Sequence, residues 1–260
     1  MEPTFSEFSY GYAITEELAT GILGTIHGHP IFPSLKQEGQ IGGGYDVKFP
    51  LYGSALYLQF KRSHFMKRVY CENFYLFHNA YYRMYLMRSK YSIQHELLIH
   101  LELSGNDVFY IAPEFYTDDE LTEFYTNKTV YVHSAMFSPS DVGHLPNDDS
   151  HYVAFDHDMN AYLCSKEPKR LEKMIKGQDF QKFYSTGFKN KRKPIDSAFF
   201  DKLTENTIDV IERSHIQTNF IKNIRSIRKD TDTLEDKARF AALLSRAYFD
   251  VELFIVDESS

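Results

Sequence analysis

Tryptophan is absent from this chain, and cysteine occurs only as Cys71 and Cys164. Two cysteines make neither a disulfide framework nor a metal-spaced set, so a reducing cytoplasm is the expected compartment. No apolar stretch approaches the roughly 20 residues needed to span a bilayer. The opening segment, Met1 to Glu7, lacks the basic patch and apolar run of a signal peptide, so no membrane association is expected. A Walker-type phosphate loop is missing, because no Gly-Lys-Ser/Thr follows Gly42-Gly43-Gly44. The zinc-protease pattern is missing too. In His95-Glu96-Leu97-Leu98-Ile99-His100 the second histidine falls one residue late and leaves the face of the first. Positive charge is in deficit, with 29 basic against 36 acidic residues and a formal charge of −7. That excludes a general nucleic-acid coat, though a local basic strip can offset the average. There is no internal repeat and no low-complexity tract.

What is present is aromatic. The 22 phenylalanines and 19 tyrosines stand in a sequence that is 43% hydrophobic, enough to bury a substantial core. A length of 260 residues fits one large domain, or one domain with an appendage. Residues 7–26 read as a first helix with apolar stripes through Phe8, Tyr12, Ala19 and Ile22 and through Ile14 and Leu18. The glycines at 42–44 read as a turn before a strand. Tyr81 to Leu86 is an expected strand. Ser92 to Ser104 is an expected helix, with Gly105 as its stop. Val108 to Ala112 is a continuous apolar run, as in a strand covered on both faces. Thr117-Asp118-Asp119-Glu120 starts a capped helix, Val130 to Met136 is the next strand, and 151–164 holds a pair of strands. This order predicts an α/β layered core over 1–194. Three helical patterns, 196–214, 218–228 and 233–253, predict a C-terminal helical appendage over 195–260.

Two short strands carry the chemistry. They read Gly44-Tyr45-Asp46-Val47-Lys48-Phe49 and Ala55-Leu56-Tyr57-Leu58-Gln59-Phe60-Lys61. Side chains alternate between the faces of a strand. Tyr45, Val47 and Phe49 therefore leave Asp46 on the opposite face, and Leu56, Leu58 and Phe60 leave Gln59 and Lys61 side by side. A connection around Pro50 and Gly53 predicts a hairpin that brings a carboxylate, an amide oxygen and an ammonium together. The two oxygens suit a hard cation such as magnesium. The lysine can position a water or steady the charge of a phosphate under attack.

At these residues the chain resembles the restriction-endonuclease-like nucleases, the PD-(D/E)xK superfamily. Asp46 matches the first acidic element, with Tyr45 where the pattern has proline. Gln59-Phe60-Lys61 matches the second in its less common glutamine form. A helix with Glu16 and Glu17 precedes the strands and a helix-then-strand segment follows, as in that superfamily, over roughly the first half of the chain. The resemblance implies a mixed sheet flanked by helices and a helix glutamate in the site. Glu16 lies closer to the Tyr12 stripe and Glu17 closer to Ile14; Glu17 is the one expected to join Asp46 and Gln59 around Mg²⁺ or Mn²⁺. The implied activity is metal-dependent DNA cleavage in bacterial restriction or anti-phage defence. The rival reading is a nuclease fold kept only to bind nucleic acid or a partner subunit of a larger defence complex.

Basic residues gather at Lys166, Lys169, Arg170, Lys173 and Lys176, then at Lys182, Lys189, Lys191, Arg192 and Lys193. Within this strip Lys189, Lys191, Arg192 and Lys193 are the expected phosphate contacts on DNA. The alternative is a solvated linker. Asp156-His157-Asp158 reads as a turn. A partner protein, or a second copy, is expected through the C-terminal helices.

Overall fold

Along the strand Tyr52–Phe60, Ala55, Tyr57 and Gln59 alternate with Leu56 and Leu58, and all five are buried. A strand so covered must lie inside a layered fold. The structure, a computed structural model, describes residues 1–22, 25–26, 52–88, 92–146, 149–213 and 233–257. Its helices are α1 (Glu7–Glu17), α2 (Phe74–Phe77), α3 (Gln94–Leu103), α4 (Asp118–Asn127), α5 (Pro139–Val142), α6 (Gly177–Lys191), α7 (Ser197–Arg213) and α8 (Leu234–Leu244). Its strands are β1 (Thr25–Ile26), β2 (Tyr52–Phe60), β3 (Ser63–Met66), β4 (Tyr81–Leu86), β5 (Asp107–Pro113) and β6 (Ser134–Phe137), then β7 (His151–Phe155), β8 (Ala161–Cys164), β9 (Lys169–Arg170), β10 (Ile175–Lys176), β11 (Lys193–Pro194) and β12 (Glu252–Asp257).

The larger sheet has the order β1-β12-β2-β5-β6-β10, with β11 also paired to β2. It is mixed: β2 and β5 run parallel, and their neighbours are antiparallel. A smaller antiparallel sheet has the order β3-β4-β7-β8-β9. One face of the large sheet, with Leu56, Leu58, Phe109 and Ile111, packs on Tyr10 and Ile14 of α1 and on Phe180 of α6. The other face, with Ala55, Tyr57, Tyr110 and Ala112, packs on α3, α7, α8 and the inner face of the small sheet. The expected α/β class is what is observed. No helix among the described residues is long and apolar enough to cross a membrane.

Several expected elements form as read. The Thr117 hydroxyl and the Glu120 carboxylate make a reciprocal capping box on α4, and Gly105, at φ +91, ends the α3 turn. Others differ for identifiable reasons. α1 stops at Glu17 and continues as a single π-turn through Ile22, rather than as regular helix to 26. β6 starts at Ser134 and not at Val130, because 130–133 is a turn tied down by a side chain of α1. The expected helix 233–253 breaks after Leu244 into a π-turn ending at Phe249, and Asp250 takes the left-handed conformation, φ 52. The run Phe254-Ile255-Val256 then inserts beside β2, each residue at most 7% exposed. Such side chains contribute about 1.5–3 kcal/mol each when buried. The segment expected as an appendage thus supplies a strand of the main sheet. The expected helix 218–228 and the expected strand 44–49 lie outside the described residues.

The first strand of the expected hairpin, 44–49, lies outside the described residues, and only the pairing of β2 is seen. β12 pairs with Ser54 to Leu58 on one edge, and β5 pairs with Leu56 to Phe60 on the other. Both edges of β2 are therefore occupied at 56–58.

Candidate functional site

Period-two alternation puts Gln59 and Lys61 on the face shared by Ala55 and Tyr57. Gln59 is 1% exposed, and among the described residues neither its Oε1 nor its Nε2 has a hydrogen-bond partner. A buried amide left in that state costs about 1–3 kcal/mol. Lys61 follows at the point where β2 leaves the sheet. Its N–H donates to the Ile111 carbonyl at 2.9 Å, which carries the parallel ladder with β5 one step further. Gln59 and Lys61 thus stand two residues apart at the carboxyl ends of two parallel strands. Open α/β sheets bind their ligands at such ends.

The first turn of α1 reaches this same end. Tyr10 meets the Phe60 ring edge-on at 6.2 Å. A Cβ on Gly11 would stand 2.7 Å from that ring, so only glycine lets the helix approach so closely. The Arg62 Nη1 donates to the Phe5 carbonyl at 3.4 Å. Glu7 lies one helical turn before Gly11, on the same helix face. Burial pushes its carboxyl above the usual range; Lys61 and Arg62 pull it down and Asp250 pushes it up. Glu7 thus feels the charges of Lys61, Arg62 and Asp250 from the α1 side of the sheet.

Glu17 is elsewhere. It is wholly buried, and its two oxygens accept the backbone N–H groups of Val130 and Tyr131 at 2.8 and 2.9 Å. Burial raises its pKa, against those two hydrogen bonds and the charge of Lys128. It sits with α1 on the Leu58 and Phe60 side, opposite to Gln59. Glu16 is bound by Lys128 at 2.6 Å and by the Tyr125 hydroxyl. Neither glutamate is brought to Gln59, because both answer to α4 and the turn before β6. Asp46 lies outside the described residues.

Arg192 and Lys193 of the basic strip stand apart from Gln59. Arg192 lies over the Tyr52 ring, 5.4 Å from its centroid, and Lys193 pairs with Gly53. Both mark the amino end of β2, six residues and so roughly 20 Å from Gln59 at about 3.3 Å per residue. The side chains of Lys189 and Lys191 lie outside the described residues. His95 is a core residue. Its ring nitrogens are bonded to the Tyr110 hydroxyl at 2.7 Å and the Gly143 carbonyl at 2.8 Å, and burial lowers its pKa.

One pair went unread in the sequence. Glu114 continues the Tyr110 and Ala112 face of β5, one strand over from Lys61, and is 6% exposed. Its Oε2 lies 3.3 Å from Nδ1 of His157, and its Oε1 has no partner among the described residues. His157 Nε2 lies 3.4 Å from the Tyr82 hydroxyl. The Asp156 carboxylate accepts the N–H groups of Asp158 and Asn160, which makes the expected turn and presents His157. The only hint in the sequence is a lone carboxylate inside the apolar run from Val108 to Phe115.

Contact with Glu114 raises the His157 pKa, against partial burial and Lys176. A raised folded-state value means that the pair's contribution is complete below the unfolded imidazole value of about 6.5. It is lost as pH rises through the folded value. With its side chain 59% exposed, the imidazole is well screened, and the effect is expected to stay below about 1 kcal/mol. Urea unfolding at pH 6 and at pH 8.5 should show the parent losing its advantage over His157→Gln. Equal differences at both pH values would rule the pair out.

A metal site needs converging donors. Among the described residues no group of three or more His, Cys, Asp or Glu side chains is placed to hold an ion. The unpartnered Gln59 oxygen is a suitable donor for a hard cation, and Glu17 is not. Compared with known proteins, the chain matches no family model, no curated protein and no solved structure.

Gln59→Met gives a direct reading of the buried amide. It keeps the volume and removes two unsatisfied groups, so stability should rise by about 1 kcal/mol. A fall of that size in the denaturation midpoint energy would show that the amide is satisfied.

Proposed function

We propose that this protein is a metal-dependent nuclease of restriction-endonuclease-like fold that hydrolyses phosphodiester bonds of DNA at the carboxyl end of β2. The observation that carries the reading is the buried, unpartnered Gln59 amide beside Lys61, retained at a cost to the fold. Proteins keep such groups where function requires them. The passage from β2 to a parallel β5 through α3 agrees with the helix-then-strand order of the resembled superfamily.

In this reading Asp46 supplies a charged oxygen donor and Gln59 a neutral one. Glu17, which the resemblance assigns to the site, is committed to the turn before β6 and takes no part. A bound Mg²⁺ or Mn²⁺ would polarise the scissile phosphate and lower the pKa of a water. Lys61 orients the attacking water and offsets the charge that builds on the phosphate oxygens. Arg62 and Lys61 together favour entry of an anionic strand at this end. A role in bacterial restriction or anti-phage defence in the cytoplasm follows from the resemblance alone.

The neutral Gln59 favours a second reading, in which the fold binds DNA or a partner subunit without cutting. Calorimetric titration with Mn²⁺ separates the two. The nuclease reading expects one weak site per chain, tightened by Gln59→Glu, which adds the missing charge. An absence of metal binding in both proteins would contradict it.

A further inference from the structure

Between β3 and β4 the chain crosses the outer face of the small sheet, and its underside is firmly held. Cys71, Phe74 and Phe77 pack on Tyr81, Tyr152 and Cys164. The Asn73 amide donates to the Tyr152 hydroxyl at 2.6 Å. Arg83, 6% exposed, lies 4.4 Å from the Tyr152 ring centroid and donates to the Glu72 carbonyl at 2.6 Å. Left-handed Asn73 and His78, at φ 66 and 56, fix the bends on either side of α2.

The upper side of this fastened segment is apolar and open to solvent. Val69 and Tyr70 are each 78% exposed and Tyr75 is 62% exposed. A segment serving only to cover the sheet would turn those groups inward. Basic residues surround them. Lys67 and Arg68 are exposed, and Arg68 Nη1 donates to the Tyr70 hydroxyl at 2.6 Å. On the neighbouring edge, Arg170 pairs with Tyr162, whose ring meets Phe77 edge-on at 5.4 Å. Arg170 therefore shares the same outer face. In a chain of net charge −7, Lys67, Arg68 and Arg170 against the one exposed carboxylate of this segment, Glu72, leave the face positive.

We propose that this face binds single-stranded nucleic acid, with bases stacked on Tyr70 and Tyr75 and phosphates at Lys67, Arg68 and Arg170. Exposed aromatic rings beside cations suit unpaired bases, whose faces a duplex keeps hidden. The proposal rests on the nucleic-acid reading above for its ligand class and is independent of the cleavage site.

The test is fluorescence anisotropy with labelled dT20 in EDTA, where cleavage is stopped. The parent should bind dT20 more tightly than a duplex of equal length. Tyr70→Ala and Tyr75→Ala should each weaken binding roughly tenfold without changing the salt slope. Tyr70→Phe should retain binding. The triple variant K67Q/R68Q/R170Q should reduce the slope by about two units, at roughly 0.7 per phosphate contact on a single strand. All these side chains are exposed, so each variant should unfold at the parental midpoint. Undetectable dT20 binding, a preference for duplex, or alanine variants of parental affinity would overturn the proposal. A protein that cuts plasmid and ignores dT20 would overturn this inference and leave the nuclease reading standing. One that binds dT20 and never cuts would do the reverse.

Discussion

Glu17→Ala is expected to lower stability by about 3–4 kcal/mol, because each buried N–H left without an acceptor costs about 1–3 kcal/mol. Val130, buried, and Tyr131, half-buried, would both lose theirs. These bonds join the end of α1 to the turn that delivers β6 into the sheet. Their loss should loosen a strand pair, beyond the local turn. A domain of this kind has about 5–15 kcal/mol in total, so the variant should unfold at a visibly lower urea concentration. Glu17→Gln keeps one acceptor oxygen and should fall between the two. Any loss of activity in Glu17→Ala would then follow from the fold. A variant with parental stability and no activity would instead place Glu17 in the site.

The largest effect on activity is expected at Lys61 and Asp46. Lys61→Ala and Asp46→Ala should each lower the single-turnover rate of DNA cleavage at least about 10²–10³-fold, the usual loss on removing one group that stabilises transition-state charge. Lys61 is half-exposed beyond the last residue of β2, so its removal should change stability by less than about 1 kcal/mol. Gln59→Met should show the complementary pattern, a steadier fold with no cleavage. Full activity in Lys61→Ala would remove the lysine from the mechanism.

Much of the fold was legible because it is local. The run from Val108 to Ala112, the Thr117 capping box and the β7–β8 pair are set by residues close in sequence. The shared face of Gln59 and Lys61 was legible too, since alternation holds whichever strand lies alongside. The identity of that strand was not. β12 lies almost 200 residues further on, at the end of what reads as a helical pattern, and nothing in β2 names its partner. Helix phase left the choice between Glu16 and Glu17 to a lean toward Glu17, and could not show that a distant turn would offer Glu17 two N–H groups. Glu114 and His157 meet only because β5 and the β7–β8 turn belong to sheets packed on each other. Charge density along the sequence marked a basic strip; only the register of β11 with Gly53 revealed that Arg192 and Lys193 sit at the opposite end of β2 from Gln59.

The most direct measurement is incubation of the purified protein with supercoiled plasmid, with Mg²⁺ present and again with EDTA. A metal-dependent nuclease converts the plasmid to nicked or linear DNA with Mg²⁺ and leaves it intact in EDTA. Plasmid left intact at every Mg²⁺ and Mn²⁺ concentration, by a protein shown to be folded, would contradict the nuclease reading.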